Sequence, residues 1–376
     1  IVTGHTLELS YDKIMLNWER NKVKMNFDNY SYYPALRTRA AEILGLSQIK
    51  KDKKDKILPL ITLGKWPRSD EIQVSLDKAL EAMDGLPFIL DVTKEDKHHC
   101  LSSFDLLSPE NNFKNWVSFC SQNEKIIPVV QMPESARLRE IAQQARILEK
   151  EKGSVAFHIR NLNLDINKTL ASLVALDSPE NAIIFIDLGY IRGHISTITS
   201  AAISAINQIR TEIPEAIISV LSTSFPSSVA SFSGDNGQSG YIDIIERELH
   251  QTIGGRGVSI YGDHGSIHAV VYDNVGGRYV PRIDISLDDA WYFERRSGLD
   301  SKGYIEAAKA ILKKYPNYLE DDTWGALMIR NAASGDTSGM GSPAKWIAVR
   351  VNLHITKQIE LSEAFKTDFD PEDDFY

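Results

Sequence analysis

The stretch "NAIIFIDLGYI" (residues 181–191) enters through an asparagine, runs apolar without a break, and leaves through an aspartate, a glycine and a tyrosine. A strand covered on both faces looks like this, because every successive side chain meets a buried layer; such strands belong to parallel sheets. Seven more runs share the pattern: "ILPLITLGKWP" (57–67), "PFILDVTKED" (87–96), "KIIPVVQMPES" (125–135), "GSVAFHIRN" (153–161), "AIISVLSTSFP" (216–226), "GVSIYGDHG" (257–265) and "AWYFERRSG" (290–298). They recur about every 25 to 40 residues, enough for a strand, a crossover helix and loops. Helical periodicity fills several gaps. Ile72, Leu76 and Leu80 share a face within 69–83, "ESARLREIAQQARILEKEKG" (134–153) closes on a glycine, and 197–214 repeats the pattern.

Eight such units predict an α/β chain folded as a (β/α)8 TIM-like barrel, with a doubly wound open sheet as the rival that strand counting does not exclude. Residues 1–32 read as an N-terminal extension, 33–361 as the barrel domain, and the acidic 362–376 as a loose tail. After the seventh run, 266–289 replaces a crossover helix with an irregular β-ribbon around Gly276-Gly277. The segment "AKWIAVRVNLHITKQIEL" (344–361) reads as a late strand-like stretch.

With 376 residues, 43% hydrophobic and 25% charged, the chain has the composition of a folded protein rather than a disordered one. Its 42 basic and 51 acidic residues give a net charge of −9, so any polyanion must be met by a local patch rather than by the whole surface. Cys100 and Cys120 form no metal-ligand pattern and no disulfide framework, which favours a reducing compartment. No run approaches the roughly 20 apolar residues of a membrane helix, and no secretory signal opens the chain. A cytoplasmic protein without a membrane partner is expected; an oligomer stays open.

In a barrel of this kind, chemistry gathers beyond the carboxyl ends of the strands. The residues there include Lys65, Asp91, Lys94, Gln131, His158, Arg160, Asp187, Arg192, Asp263, His264, Arg295 and Arg296. His158 and Arg160 stand two apart and therefore project from one face of a strand. Buried, each needs a partner, and Asp187 on the next strand is placed to neutralise Arg160. In "YGDHGSIHAV" (261–270), the residues Asp263, His264 and His268 allow three readings: a hydrogen-bonded turn, a polar binding rim, or a ligand set for a divalent metal. The glycine and the β-rich residues that follow argue against the helix that would put both histidines on one face.

Several stretches together resemble the beta family proteins of phage satellites, prophages and other bacterial mobile elements. They are "YYPALRTRAAEILGL" (32–46), "ILPLITL" (57–63), "YGDHGSIH" (261–268), "DDAWYFERR" (288–296) and "KWIAVRVNLHIT" (345–356). The resemblance implies a barrel-like fold and a role in phage defence or in neutralising a toxic partner, and it brings no established reaction. It also draws Trp291, Trp346, Asn352 and His354 into the candidate set, because they lie in the shared motifs.

Two functions follow. One is a recognition component of an anti-phage or toxin-neutralising module. Arg160, Arg192, Arg295 and Arg296, with Lys65 and His268, would meet an anionic ligand, a nucleic acid or nucleotide, or a protein encoded in the same operon. The other is a metal-dependent phosphodiesterase or nucleotide hydrolase, with His158 or His264 as general acid or base and Asp187 or Asp263 as orienter. No cofactor is identified, a divalent metal stays open, and no metal ligands are assigned.

Overall fold

In the computed structural model, which describes residues 24–235, 237–270, 280–296 and 301–367, the apolar runs are strands. In chain order they are β1 (Tyr32–Arg37), β2 (Leu60–Leu63), β3 (Phe88–Val92), β4 (Ile126–Pro128), β5 (Val155–Ile159), β6 (Ala182–Tyr190), β7 (Ile217–Thr223), β8 (Ser239–Asp243), β9 (Ile260–Asp263), β10 (Arg282–Ser286) and β11 (Ala290–Arg295). Eight of them form one sheet in the order β4-β3-β2-β1-β9-β7-β6-β5, parallel at every pair. The two end strands meet. Val129, just past β4, bridges Ala156 of β5 in parallel, and the amide of Val130 donates to the Ala156 carbonyl at 2.8 Å. The sheet is thus a nearly closed, barrel-like cylinder, whereas a doubly wound sheet would leave both edges apart.

The helices are α1 (Ala40–Ser47), α2 (Lys51–Lys54), α3 (Ile72–Met83), α4 (Leu101–Leu106), α5 (Glu110–Ser121), α6 (Leu138–Lys152), α7 (Leu162–Leu173), α8 (Ile195–Glu212), α9 (Glu246–Thr252), α10 (Ser301–Lys314), α11 (Trp324–Ala333) and α12 (Pro343–Thr367). The amphipathic stretches of the sequence become α3, α6 and α8. Helix α6 stops where Gly153 takes a φ of 78°, a left-handed conformation that a glycine adopts without steric cost.

Alternation along the strands sorts side chains into two layers. Outward residues such as Leu36, Ile61, Leu90, Phe157 and Ile184 pack under the helices. Inward residues Tyr33, Leu60, Ile89, Val129, Ala156, Phe185 and Leu221 fill the lower barrel, and Phe27 plugs it from below, its carbonyl accepting the Tyr33 hydroxyl at 2.6 Å. Each large apolar side chain buried there contributes roughly 1.5–3 kcal/mol. One step higher the inward residue turns polar: Asp91, His158 and Asp187 on their strands and, past the ends of β4 and β9, Gln131 and His264.

Three expectations change. The barrel begins with β1 at Tyr32, the residue taken as the end of an extension, and described residues 24–31 pass beneath the barrel. The eighth run, "AWYFERR", is a strand but lies outside the barrel, in a three-stranded antiparallel sheet of order β10-β11-β8. Residues 344–361 are helical, not strand-like, and belong to α12. With α10, α11 and α12 the small sheet encloses a second apolar core that includes Ile283, Tyr292, Tyr304, Ile329 and Trp346. The ribbon expected around Gly276-Gly277, residues 1–23 and the tail from 368 lie outside the described residues. Among the described residues no helix is long and apolar enough to cross a membrane, and Cys100 and Cys120 are free, buried thiols.

Candidate functional site

Above the apolar barrel interior, four strands deliver an ionic layer. Asp91, next to last in β3, faces inward; its Oδ1 accepts from Gln131 Nε2 at 3.0 Å and from the Val92 amide at 2.8 Å, while its Oδ2 accepts from His158 Nδ1 and Arg160 Nη2, both at 2.9 Å. Asp187 on β6 meets His158 Nε2 at 3.1 Å with Oδ2, and with Oδ1 meets His264 Nε2 and the Gly189 amide, each at 2.9 Å. Burial alone would push the Asp91 carboxyl up, but Arg160 and then His158 more than reverse this and hold it well below the usual carboxylate range. Asp187 behaves alike: burial raises it, and His264 and His158 pull it far down. Both carboxylates are therefore ionised and only accept hydrogen bonds, and His158 faces one of them at each ring nitrogen. His264 spends Nε2 on Asp187, and its Nδ1 has no hydrogen-bond partner among the described residues.

A cavity of about 360 Å³ opens over this layer, lined by Arg37, Lys94, Arg160, His158, Asp187 and His264 among others. Local sequence fixes the cations. The Asp165 carboxylate accepts the amides of Arg160 at 3.1 Å and Asn161 at 2.9 Å, and Asn161 caps α7, so Arg160 leaves β5 in one defined direction. Arg37, at the end of β1, donates to the carbonyls of His268 and Ala269 at 2.8 and 3.2 Å and holds the 264–270 loop beside the mouth. Lys94 follows β3 in a turn pinned by Thr93, whose Oγ1 accepts the Glu95 amide at 3.2 Å. Its side chain is exposed, yet it stands inside the cavity, crowded by protein, and this crowding and then the charge of Arg160 lower its pKa.

The structure gathers His158, Arg160, Asp187 and His264, but Arg160 pairs with Asp91 rather than with Asp187. The other candidates lie elsewhere. Lys65 pairs with Asp70. Arg192 braces carbonyls of Ser224 at 3.1 Å and Asp243 at 2.6 Å and covers the Phe232 ring. Arg296 pairs with Glu294, and Arg295 ends β11 in the small sheet. His268 packs against Tyr190 with the two rings tilted by 37° and their centroids 4.7 Å apart. Trp346 donates to the Met340 carbonyl at 2.9 Å, and Asn352 Oδ1 accepts the Gly325 amide at 3.0 Å. Asp263 points outward, away from the mouth, where it accepts the hydroxyls of Tyr32 and Tyr261, the Gly265 amide and His354 Nε2. Trp291 Nε1 donates to His354 Nδ1 at 3.2 Å, so His354 carries its proton on Nε2 and gives it to Asp263 at 2.9 Å. Among the described residues no group of three His, Cys, Asp or Glu side chains is arranged to hold a metal ion.

Arg37 is not among the candidates because its strand, inside the expected 33–361 barrel domain, is not one of the eight apolar runs. Its signal was present, since Tyr33, Ala35 and Arg37 share one face of the strand.

Fold and site together define a barrel-like α/β protein with a buried ionic layer beneath an open mouth lined by cations. The Beta protein family model matches residues 32–360. The chain is also 72% identical over 352 residues to Protein beta of Enterobacteria phage P4, covering 94% of this chain and 99% of that relative. The chain belongs to the Beta protein family, and a phage or mobile-element origin fits it.

Proposed function

We propose that this protein binds a small anionic ligand, phosphorylated or carboxylated, at the barrel mouth, as the recognition component of a phage-borne defence or toxin-neutralising module. The observation that carries the reading is the placement of Arg160 and Lys94 in one cavity, over a histidine held between two carboxylates. Such a floor keeps Arg160 fixed and its guanidinium ready before a ligand arrives. The cavity volume suits a nucleotide-sized molecule. A duplex does not fit it, and the net charge of −9 opposes one. A protein encoded beside this one in the mobile element is the natural partner of such a sensor.

Calorimetric titration with inorganic phosphate and with nucleoside monophosphates tests the reading. Arg160→Ala is expected to weaken binding about 10- to 100-fold, because a charge-assisted hydrogen bond is worth roughly 1.5–3 kcal/mol. Equal affinity in the variant and the parent would overturn it.

A second reading, hydrolysis of a phosphodiester or nucleotide, is favoured by one observation. His264 is oriented by Asp187 and keeps Nδ1 unpaired at the cavity wall, the arrangement of a general base. Under it, His264→Ala leaves ligand affinity intact and removes phosphate release.

A further inference from the structure

We infer that the amine of Lys94 is a nucleophile, which condenses with the aldehyde or ketone group of a small anionic ligand to form an imine in the mouth cavity. The inference rests on the anion-binding reading, in which Arg160 holds the ligand's negative group. Three observations support it. Lys94 stands two residues past the end of β3, on the wall shared with Arg160, His158, Asp187 and His264. It forms no hydrogen bond or ion pair with any described residue, whereas Arg37 and Arg160 are both committed to protein acceptors. Placed among protein atoms and beside a guanidinium, its ammonium gives up its proton more readily than a surface lysine, and the neutral amine is the reactive form.

The chemistry closes without a cofactor. The Nζ lone pair attacks the carbonyl carbon, a C–N bond forms, and the carbonyl π pair moves to oxygen. His264, through its unpaired Nδ1, takes a proton from the new ammonium nitrogen and delivers it to the oxygen, giving a carbinolamine. A further proton on that hydroxyl lets it leave as water while the nitrogen lone pair closes the C=N bond. Amine, carbonyl and one proton become an iminium and one water, with nothing oxidised or reduced.

Pyridoxal 5′-phosphate, which joins an aldehyde to a phosphate, is a suitable probe. The full-length protein is incubated with it near neutral pH, reduced with borohydride, digested and mapped by mass spectrometry. Lys94 is expected to be labelled on the order of tenfold faster than the lysines outside the cavity, since an amine crowded by protein and set beside a guanidinium holds its proton less tightly. Inorganic phosphate should slow that labelling, and Lys94→Arg should abolish the fast phase. Labelling of Lys94 no faster than that of other lysines overturns the inference. Two further arms separate it from the anion reading. If phosphate binds by calorimetry but Lys94 is not labelled preferentially, the imine falls and the anion site stands. If pyridoxal, which lacks the phosphate, labels Lys94 as fast as the phosphate ester does, the nucleophile stands and the anion site falls.

Discussion

Adjacent residues at the end of β9 do opposite jobs. Alternation sends His264 into the mouth and turns Asp263 outward beneath α12, where four donors converge on its two oxygens. Burial would raise the Asp263 carboxyl, but His354 and the hydroxyl of Tyr32 draw it below the ordinary range, so it is an anion dedicated to structure. Asp263→Asn would set an amide N–H₂ against O–H and N–H groups in a buried site. A loss of about 3 kcal/mol in urea unfolding is expected; a variant of unchanged stability that fails to bind ligand would assign Asp263 to the site instead. His250 gives a pH signature. Burial pulls its pKa from 6.5 down to about 4, and its Nε2 donates to the Ser259 carbonyl at 2.8 Å. Because the folded value lies below the unfolded one, the unfolded chain binds more protons between these pH values. Stability is therefore complete above about pH 6.5 and declines as pH falls towards 4, by about 3 kcal/mol in all. His250→Gln keeps a donor for Ser259 and does not titrate, so unfolding curves at pH 7 and pH 4.5 should differ less for the variant than for the parent.

At the level of elements, what was legible depended on how each element is buried. Seven of the barrel strands announce themselves as unbroken apolar runs, because the sheet is covered on both faces. Strand β1 does not, since Pro34 and Arg37 interrupt "YYPALR". Strand β11 looks identical to a barrel strand because it too is covered on both sides: Trp291 and Phe293 face one apolar cluster and Tyr292 another. No local pattern says which sheet such a run joins. Helix α12 looks strand-like in the sequence for a related reason. From Ala348 to Thr356 every residue is buried, so the helix has no polar stripe, its 3.6-residue period vanishes, and the β-branched Val349, Val351 and Ile355 give it a strand-like look. The site was half legible. His158, Arg160, Asp187 and His264 follow from strand-end position and parity, whereas the pairing of Arg160 with Asp91 depends on barrel closure, which brings β3 and β5 together on either side of the short β4. Close packing of α12 makes its own prediction. It crosses α1 at Gly45, where a Cβ would lie 2.8 Å from both the Ala348 carbonyl oxygen and the Val351 Cβ. Gly45→Ala gains about 1 kcal/mol of helix propensity, but overpacking costs about 1–3 kcal/mol, so a lower Tm by calorimetry is expected. A raised Tm would show that the helices separate freely.

The whole molecule is two apolar cores fastened through α12. One side of this helix packs on α1 and β1, the other on β10, and two buried polar links cross from barrel to lobe. The first is Asp263 to His354 to Trp291. The second is Arg350, which donates to Asp284 of β10 at 2.8 Å and lies 3.9 Å over the ring of Phe225, beyond the end of β7. Burial pulls the Arg350 pKa down to about 10, with Asp284 opposing, so the guanidinium stays charged at neutral pH and needs its carboxylate. Removing one partner of a buried pair leaves an uncompensated charge and costs about 3–5 kcal/mol, whereas removing the charge in favour of an apolar side chain of similar length costs far less. Asp284→Ala is therefore expected to destabilise more than Arg350→Met, and the double variant should recover most of the difference. In all three, tryptophan fluorescence, which reports Trp116 in the barrel core and Trp291 and Trp346 at the lobe, should unfold together with the far-ultraviolet circular dichroism. Separate transitions in the parent protein would show that α12 does not fasten the two cores into one cooperative unit. In that case the cation-lined mouth would keep its geometry after the small sheet had melted.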